Sequence, residues 1–498
     1  MNDMAAYRAY RPNPLAASDR KNVTFLFGGL TWRAEKAIEA AFESAGLRAR
    51  RLPAPTREDL IRGRELADIG QCCPTAFVTG NLANHLLRER EAKGDGSFAR
   101  DQVYVTAGSC GSCRFGQYHQ SYELALRNLG MEDFRIFLFD QSGKNKKEED
   151  LDFGPQLLLG IAFAIMMADA VQDLEYQLRP YEVEPGATDR ASEAAVKEIC
   201  EALRTRRRFD RWGSALAWHL TTGHFVRAMR RAARYFDRVE VDRLKVKPKV
   251  KITGEFYLQT VEGAPNYNIH SWLESEGAEV YPAAVTIWLD YLMRYAMQEQ
   301  ADREGLVPKS GMKRRGYALA ARVLRRQYDS MRRALGSTPH ELPQQSELRD
   351  LASPYFDARL SGGEGDMLVG KAIWSHLHRK AHMICELSPY SCMPNTMSVG
   401  AMAGVLGRYP EILYAPLEIK GDSEIHALSR CQMVLTEAKS RARAEYEAAL
   451  AATGLTEERA RELMAARPEM RRGLWKVPHH GAAGTAANVI LELGGARL

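Results

Sequence analysis

Cysteine is the residue type in this chain that could do chemistry most readily, and eight are present: Cys72, Cys73, Cys110, Cys113, Cys200, Cys385, Cys392 and Cys431. Their settings matter more than their number. Cys72-Cys73-Pro74 follows Gly70. Gly108-Ser109-Cys110-Gly111-Ser112-Cys113 follows the apolar run Val103 to Thr106. Pro389-Tyr390-Ser391-Cys392-Met393-Pro394 follows a run ending at Leu387. Each of the three reads as a loop, two of them just past the carboxyl end of a strand, which is where open parallel sheets bind ligands. Glycine lets backbone approach a group closely, and proline stiffens the loop.

A Cys-x-x-Cys pair on its own serves zinc, thiol-disulfide chemistry or a cluster. A zinc ribbon normally shows two close pairs, and here there is one. Three separate thiol loops favour one iron-sulfur cluster shared between distant parts of the chain, because clusters take thiolates, usually four. Zinc and unligated redox thiols stay open as the other readings. Cys200 and Cys385 sit in apolar patterns and read as core, as does Cys431, for which a ligand role is left open. Gly365-Asp366-Met367-Leu368-Val369-Gly370-Lys371-Ala372 nearly spells a phosphate-binding loop, but no Ser or Thr follows the lysine and no strand precedes it, so it is set aside. His376, His378, His479 and His480 read as surface or packing residues.

The elements that must position these thiols follow from periodicity. Val23 to Phe27, Leu47 to Leu52, Val103 to Thr106 and Phe134 to Phe139 read as strands. Thr31 caps a helix running to Ala45, and a second helix covers Gln117 to Leu129. Strands alternating with helices imply βαβ units and parallel sheets. The expected fold class is α/β, with several Rossmann-like parallel-sheet domains and helical insertions around a central cleft. Its divisions are an arm (1–21), a first α/β domain with the cysteine loops (22–154), a helical insertion (155–246), a second α/β domain with helices (247–337), a third with the Cys392 loop (338–440) and a helical tail (441–498).

The net charge of +6 over 498 residues is too weak to argue for nucleic acid. The basic helical stretch from Arg204 to Arg234 reads as a solvated face, or as a docking surface for an acidic or phosphorylated partner. The most apolar segment, Leu157 to Ala168, is shorter than the roughly 20 residues that cross a bilayer. No membrane and no signal peptide are therefore expected, and the cytoplasm is the expected compartment. There disulfides are rare and paired cysteines usually mean metal or redox chemistry.

Several motifs, taken in order, resemble the D-component family of 2-hydroxyglutaryl-CoA dehydratase, and more closely its long branch related to the carboxyl-terminal part of CoA-substrate-specific activase-like proteins and to double-cubane cluster proteins. They are Cys73-Pro74 with Gly80, Cys113-Arg114-Phe115-Gly116-Gln117-Tyr118, Gly254-Glu255-Phe256-Tyr257 with Asn268, Trp272-Leu273-Glu274, Gly363-Glu364-Gly365, and Pro389 to Pro394 followed by Tyr409-Pro410. The resemblance spans roughly 22–440. It implies a [4Fe-4S] or double-cubane cluster in a cleft, with Cys73, Cys113 and Cys392 as ligands and Cys110 and Cys72 as further thiols. Arg114 would neutralise cluster charge, and Ser109 and Ser112 would bond to sulfide. It further implies an iron-sulfur oxidoreductase working at low potential, fed by a separate ATP-hydrolysing activator protein, in a homodimer or heterodimer. The alternatives are a 2-hydroxyacyl-CoA dehydratase-type lyase subunit and a non-catalytic, cluster-carrying accessory subunit. The activator's ATP domain is absent from this chain, and nothing in the sequence points to a CoA pocket.

Overall fold

The computed structural model describes residues 19–67, 70–94, 98–108, 113–140, 153–360 and 363–496. Most of the N-terminal arm, with Ser109, Cys110 and Ser112, lies outside them. The fold is α/β, with two four-stranded parallel sheets. In the first, β1 (Thr24–Phe27), β2 (Arg48–Arg51), β3 (Gln102–Gly108) and β4 (Arg135–Asp140) take the order β2-β1-β3-β4. In the second, β5 (Lys249–Gly254), β6 (Glu279–Tyr281), β7 (Met383–Pro389) and β8 (Leu413–Ile419) take the equivalent order β6-β5-β7-β8. The ranges 247–337 and 338–440 therefore do not form separate sheets. Each supplies two strands to one sheet, because β5 pairs with β7 across the intervening helices. Periodicity reports strands but not their partners.

The order of each sheet reverses direction once, between β1 and β3 in the first and between β5 and β7 in the second. At such a switch point the two flanking loops diverge and leave a crevice at the carboxyl ends of the strands. The loops after β3, β5 and β7 carry Cys113, Glu255 and Cys392.

The helical insertion is built from Gly154–Leu178, Ala187–Arg204, Trp212–Thr221 and His224–Asp237. Gly154–Tyr181 is the one described segment apolar and long enough to cross a membrane, yet 78% of its most apolar stretch is buried. It is a core helix, packed through Phe163, Met167 and Leu174 against Phe25, Ala37 and Phe42 of the first unit. The tail is not a loose appendage. Helix Glu424–Thr453 begins before residue 441, and Tyr446, Met464 and Ile490 form a buried cluster with Leu244.

Buried charge joins the units. Arg33, at the start of helix Trp32–Ser44, is 3% exposed. Its Nε donates to Glu175 of the insertion at 2.7 Å, and its Nη1 donates to Glu262 of the second unit at 2.7 Å. Glu175 also accepts from Ser192 and Arg179. Glu279 on β6 is a second node: it accepts from Tyr181 at 2.8 Å and Thr485 at 2.6 Å and pairs with Lys249 at 3.0 Å. Glu445 fixes the tail, accepting from His382 at 3.1 Å and from the N–H groups of Ala483 and Gly484 at 2.8 and 2.7 Å.

Removing one partner of a buried ion pair strands the other. Arg33→Ala is expected to cost about 3–5 kcal/mol, read as a lower denaturant midpoint. Burial opposes the charge on Glu445, but its hydrogen bonds outweigh burial and hold its carboxyl below the ordinary carboxylate value. A depressed carboxyl stabilises above its unfolded pKa and loses that contribution as pH falls through the folded value. Glu445→Gln is therefore expected to lower stability by about 1 kcal/mol near pH 7. The gap to wild type should close in melts run below the carboxylate range.

Candidate metal centre

The three loops that sequence singled out are helix starts in the structure. Cys72 is the N-cap of helix Cys73–Lys93, with Pro74 in its first turn. Cys392 is the N-cap of helix Met393–Arg408, with Pro394 in its first turn. Cys113 is the N-cap of the short turn Arg114–Gln117 that leads into helix Tyr118–Asn128. Proline suits these positions, since its fixed φ is preset for a helix and its missing N–H is not needed there. None of the three cysteines caps its helix through its side chain. The backbone N–H groups of Thr75, Phe115 and Asn395 instead act to lower the thiol pKa values of Cys72, Cys113 and Cys392 respectively, and the dipole of each longer helix favours negative charge at that end.

Several constraints bring these ends together. The N–H of Cys73 donates to the carbonyl of Tyr390 at 3.2 Å, so the Cys72 and Cys392 loops are hydrogen-bonded to each other. Ser391, just before Cys392, is held at φ +67°, an unusual backbone for a non-glycine residue and one that recurs at functional sites. Gly254 ends β5 at φ +118°, and a Cβ there would stand 2.2 Å from the carbonyl oxygen of Leu387. Only glycine lets β5 and β7 approach so closely at the switch point. Gly363 lies against Pro394, where a Cβ would stand 2.3 Å away. This contact brings Glu364 to the Cys392 loop.

The electrostatics describe one shared site. Burial raises Cys392 far above an ordinary thiol, and Glu255, Cys72 and Cys113 act on it in the same direction. Cys113 is pushed up to about 12, by burial first and then by Glu364, Glu255 and Cys72. Cys72 is raised by burial, against hydrogen bonds from Thr75 and Tyr118 at 3.1 Å each. Glu255 accepts from the N–H groups of Tyr257 at 3.0 Å and Leu258 at 2.9 Å. Burial nevertheless raises it to about 7, with Glu364 adding repulsion.

Cys73 stands differently. It is pushed up to about 12 by burial, and Arg64 is the strongest charge near it. It packs in the core with Leu60, Phe77 and Tyr257, whereas Cys72 packs beside Tyr118 and Tyr122. Cys72, not Cys73, is among the charges acting on Cys113 and Cys392. Neighbouring residues at a helix start point in different directions, a distinction the sequence does not carry. Cys200 and Cys431 are buried on helices, and Cys385 is fully buried in β7. Cys385 hydrogen-bonds Cys431 within the same core cluster that holds Cys73. Sequence reasoning left Glu255, Glu364 and Tyr118 without a site role, although all three fall within quoted motifs.

Among the described residues, no three His, Cys, Asp or Glu side chains gather closely enough to hold a single metal ion. Cys110, Ser109 and Ser112 fall outside those residues. The groups that are present fit a larger anionic, sulfur-bound group. Two buried thiols, Cys72 and Cys392, and the half-buried Cys113 come from three chain segments, and Arg114 Nη1, next to Cys113, is buried without a hydrogen-bond partner among the described residues. Buried thiols with raised pKa are poor nucleophiles, which does not suit thioredoxin-like exchange.

No family model matches the chain, and no curated protein matches it either.

Gly254→Ala tests the close approach at the switch point. It is expected to cost about 1–3 kcal/mol from backbone strain alone, seen as a lower midpoint in chemical unfolding.

Proposed function

We propose that the chain is an iron-sulfur protein of low-potential electron transfer, holding a [4Fe-4S] or double-cubane cluster between the facing switch points. The observation that carries this reading is the convergence of Cys72, Cys113 and Cys392 at three helix starts. Cys110, two positions beyond the last residue of β3, is the proposed further ligand, with Cys73 next to Cys72 in the chain. A cluster places several irons and sulfides between its thiolates, so it needs donors spaced more widely than a single ion does.

When bound, such a cluster supplies one-electron chemistry at a potential set by charge, hydrogen bonds to sulfur and burial. The chain's own residues would set those conditions. The Tyr118 hydroxyl, 3.1 Å from Cys72 Sγ, would donate to sulfur. Arg114 and the positive ends of the two longer helices would offset negative charge. Glu255 and Glu364, two acids close to the thiols, would lower the potential whenever ionised. The proposed electron donor is a separate ATP-hydrolysing activator, and the proposed compartment is the cytoplasm, where free thiols persist.

Anaerobically purified protein is expected to be brown and to carry about four irons per chain for a cubane or about eight for a double cubane. Cys72→Ser, Cys113→Ser and Cys392→Ser should each lose iron and sulfide, while Cys200→Ser should retain both. Colourless protein with stoichiometric zinc would overturn the proposal, as would equal iron loss from Cys200→Ser and Cys392→Ser.

A further inference from the structure

On the other side of the second sheet lies a cavity that the thiol site does not use. Helix Gly365–Leu377 runs from Glu364 at the thiols toward it. Lys371, Trp374 and Ser375 line an inner chamber of about 30 Å³, together with Lys251 of β5 and the Asp173–His340 pair. The residues Tyr281, His340 and Trp374 that wall this chamber also wall an outer cleft of about 660 Å³. The outer volume falls within the range of about 300–1,000 Å³ typical of small-molecule sites.

The inner polar groups are not equally satisfied. Asp169 accepts from the Val285 N–H at 3.1 Å and from Thr286 N–H and Oγ1 at 2.7 and 2.5 Å. Asp173 accepts from the His340 ring at 2.7 Å and from its N–H at 2.5 Å. Lys251 donates to the Pro282 carbonyl at 2.9 Å and lies 3.4 Å from the Tyr281 ring centre. The acids are thus served by donors that remain in place. Lys371, only 4% exposed, makes neither a hydrogen bond nor an ion pair with any described residue, although Glu364 acts on it electrostatically. Ser375 is fully buried, and its Oγ has no partner. Lys371 and Ser375 are four residues apart on a helix and so share one face. A buried cation and a buried hydroxyl left unmatched side by side are costly unless something accepts from both.

The outer cleft continues the same charge. Arg243, Lys249, Arg332, Arg379, Lys380 and Lys476 line it against three glutamates, Glu279, Glu341 and Glu347. Arg243 forms no ion pair with a described acid, although Glu279 acts on it electrostatically; it donates to the carbonyls of Met470, Arg472 and Gly473.

We propose that this cavity binds a small organic anion, with its oxyanion head group, a carboxylate or a phosphate, accepting from Lys371 Nζ and Ser375 Oγ in the inner chamber. The body of the ligand occupies the basic outer cleft. The site is independent of the thiols and of whatever they hold.

The full chain would be titrated by calorimetry with inorganic phosphate in one arm and succinate in another. Saturable binding in at least one arm is expected, and the arm that saturates identifies the head group. Lys371→Met should weaken that binding by about tenfold or more, the worth of one hydrogen bond to a charged group. It should also raise the melting temperature, because it removes an unmatched buried charge. Ser375→Ala should weaken binding several-fold and leave the melt near that of wild type. Saturation in neither arm, or Lys371→Met binding as tightly as wild type, would overturn the proposal. If Lys371→Met does not fold, Ser375→Ala decides, and unchanged affinity in that variant overturns it equally.

Discussion

The buried guanidinium of Arg33 holds the molecule to its shape. It reaches from the first α/β unit to Glu175 of the helical insertion and Glu262 of the second unit, and so ties three parts of the chain to one another. A buried charge is tolerated only when its partners are in place with good geometry. Any relative slippage of the two sheets would strand charge in an apolar interior. Apolar contact between the units could accommodate several orientations, whereas the ion pair accepts one.

That orientation makes the two switch points face each other. Gly29, after β1, lies against the Tyr257 ring beyond β5, and Thr260 bonds to the Gly29 carbonyl at 3.4 Å. The thiol loops then meet across the gap from both sides. Cys72 and Cys113 come from the first unit and Cys392 from the second, so the candidate site exists only while the units stay closed. Burial disfavours bare thiolates at this site, and Glu255 acts in the same direction on both Cys113 and Cys392.

The second sheet serves two chemically different places. Its carboxyl end faces the thiols, and its opposite side closes the basic cavity around Lys371. Helix Gly365–Leu377 touches both, with Glu364 at one end and Ser375 near the other. The near-phosphate-loop pattern lies inside that helix and forms no glycine-rich loop. Its lysine is buried within the helix, where it faces the cavity rather than a loop.

Local physics made much of this legible in the sequence. Alternating apolar runs and helical stretches gave the α/β class and most of the strands. Thr31 was readable as a cap, and its hydroxyl accepts from Ala34 N–H at 3.3 Å. Glycine and proline beside Cys113 and Cys392 marked the ends of strands β3 and β7, and the core placement of Cys200 and Cys385 followed from their apolar neighbours. Other features depended on groups far apart in the chain. Pairing of β5 with β7 merged two presumed domains into one sheet, and hydrogen bonds across 130 residues leave no local pattern. The same holds for which of two adjacent cysteines faces the others, for the burial that lifts Glu255, and for the unmatched ammonium of Lys371. The sequence by itself therefore determined the element types and the thiol-bearing loops, because propensity and turn chemistry act between near neighbours. Only the tertiary structure decided which side chains share a site, because burial and charge act through space.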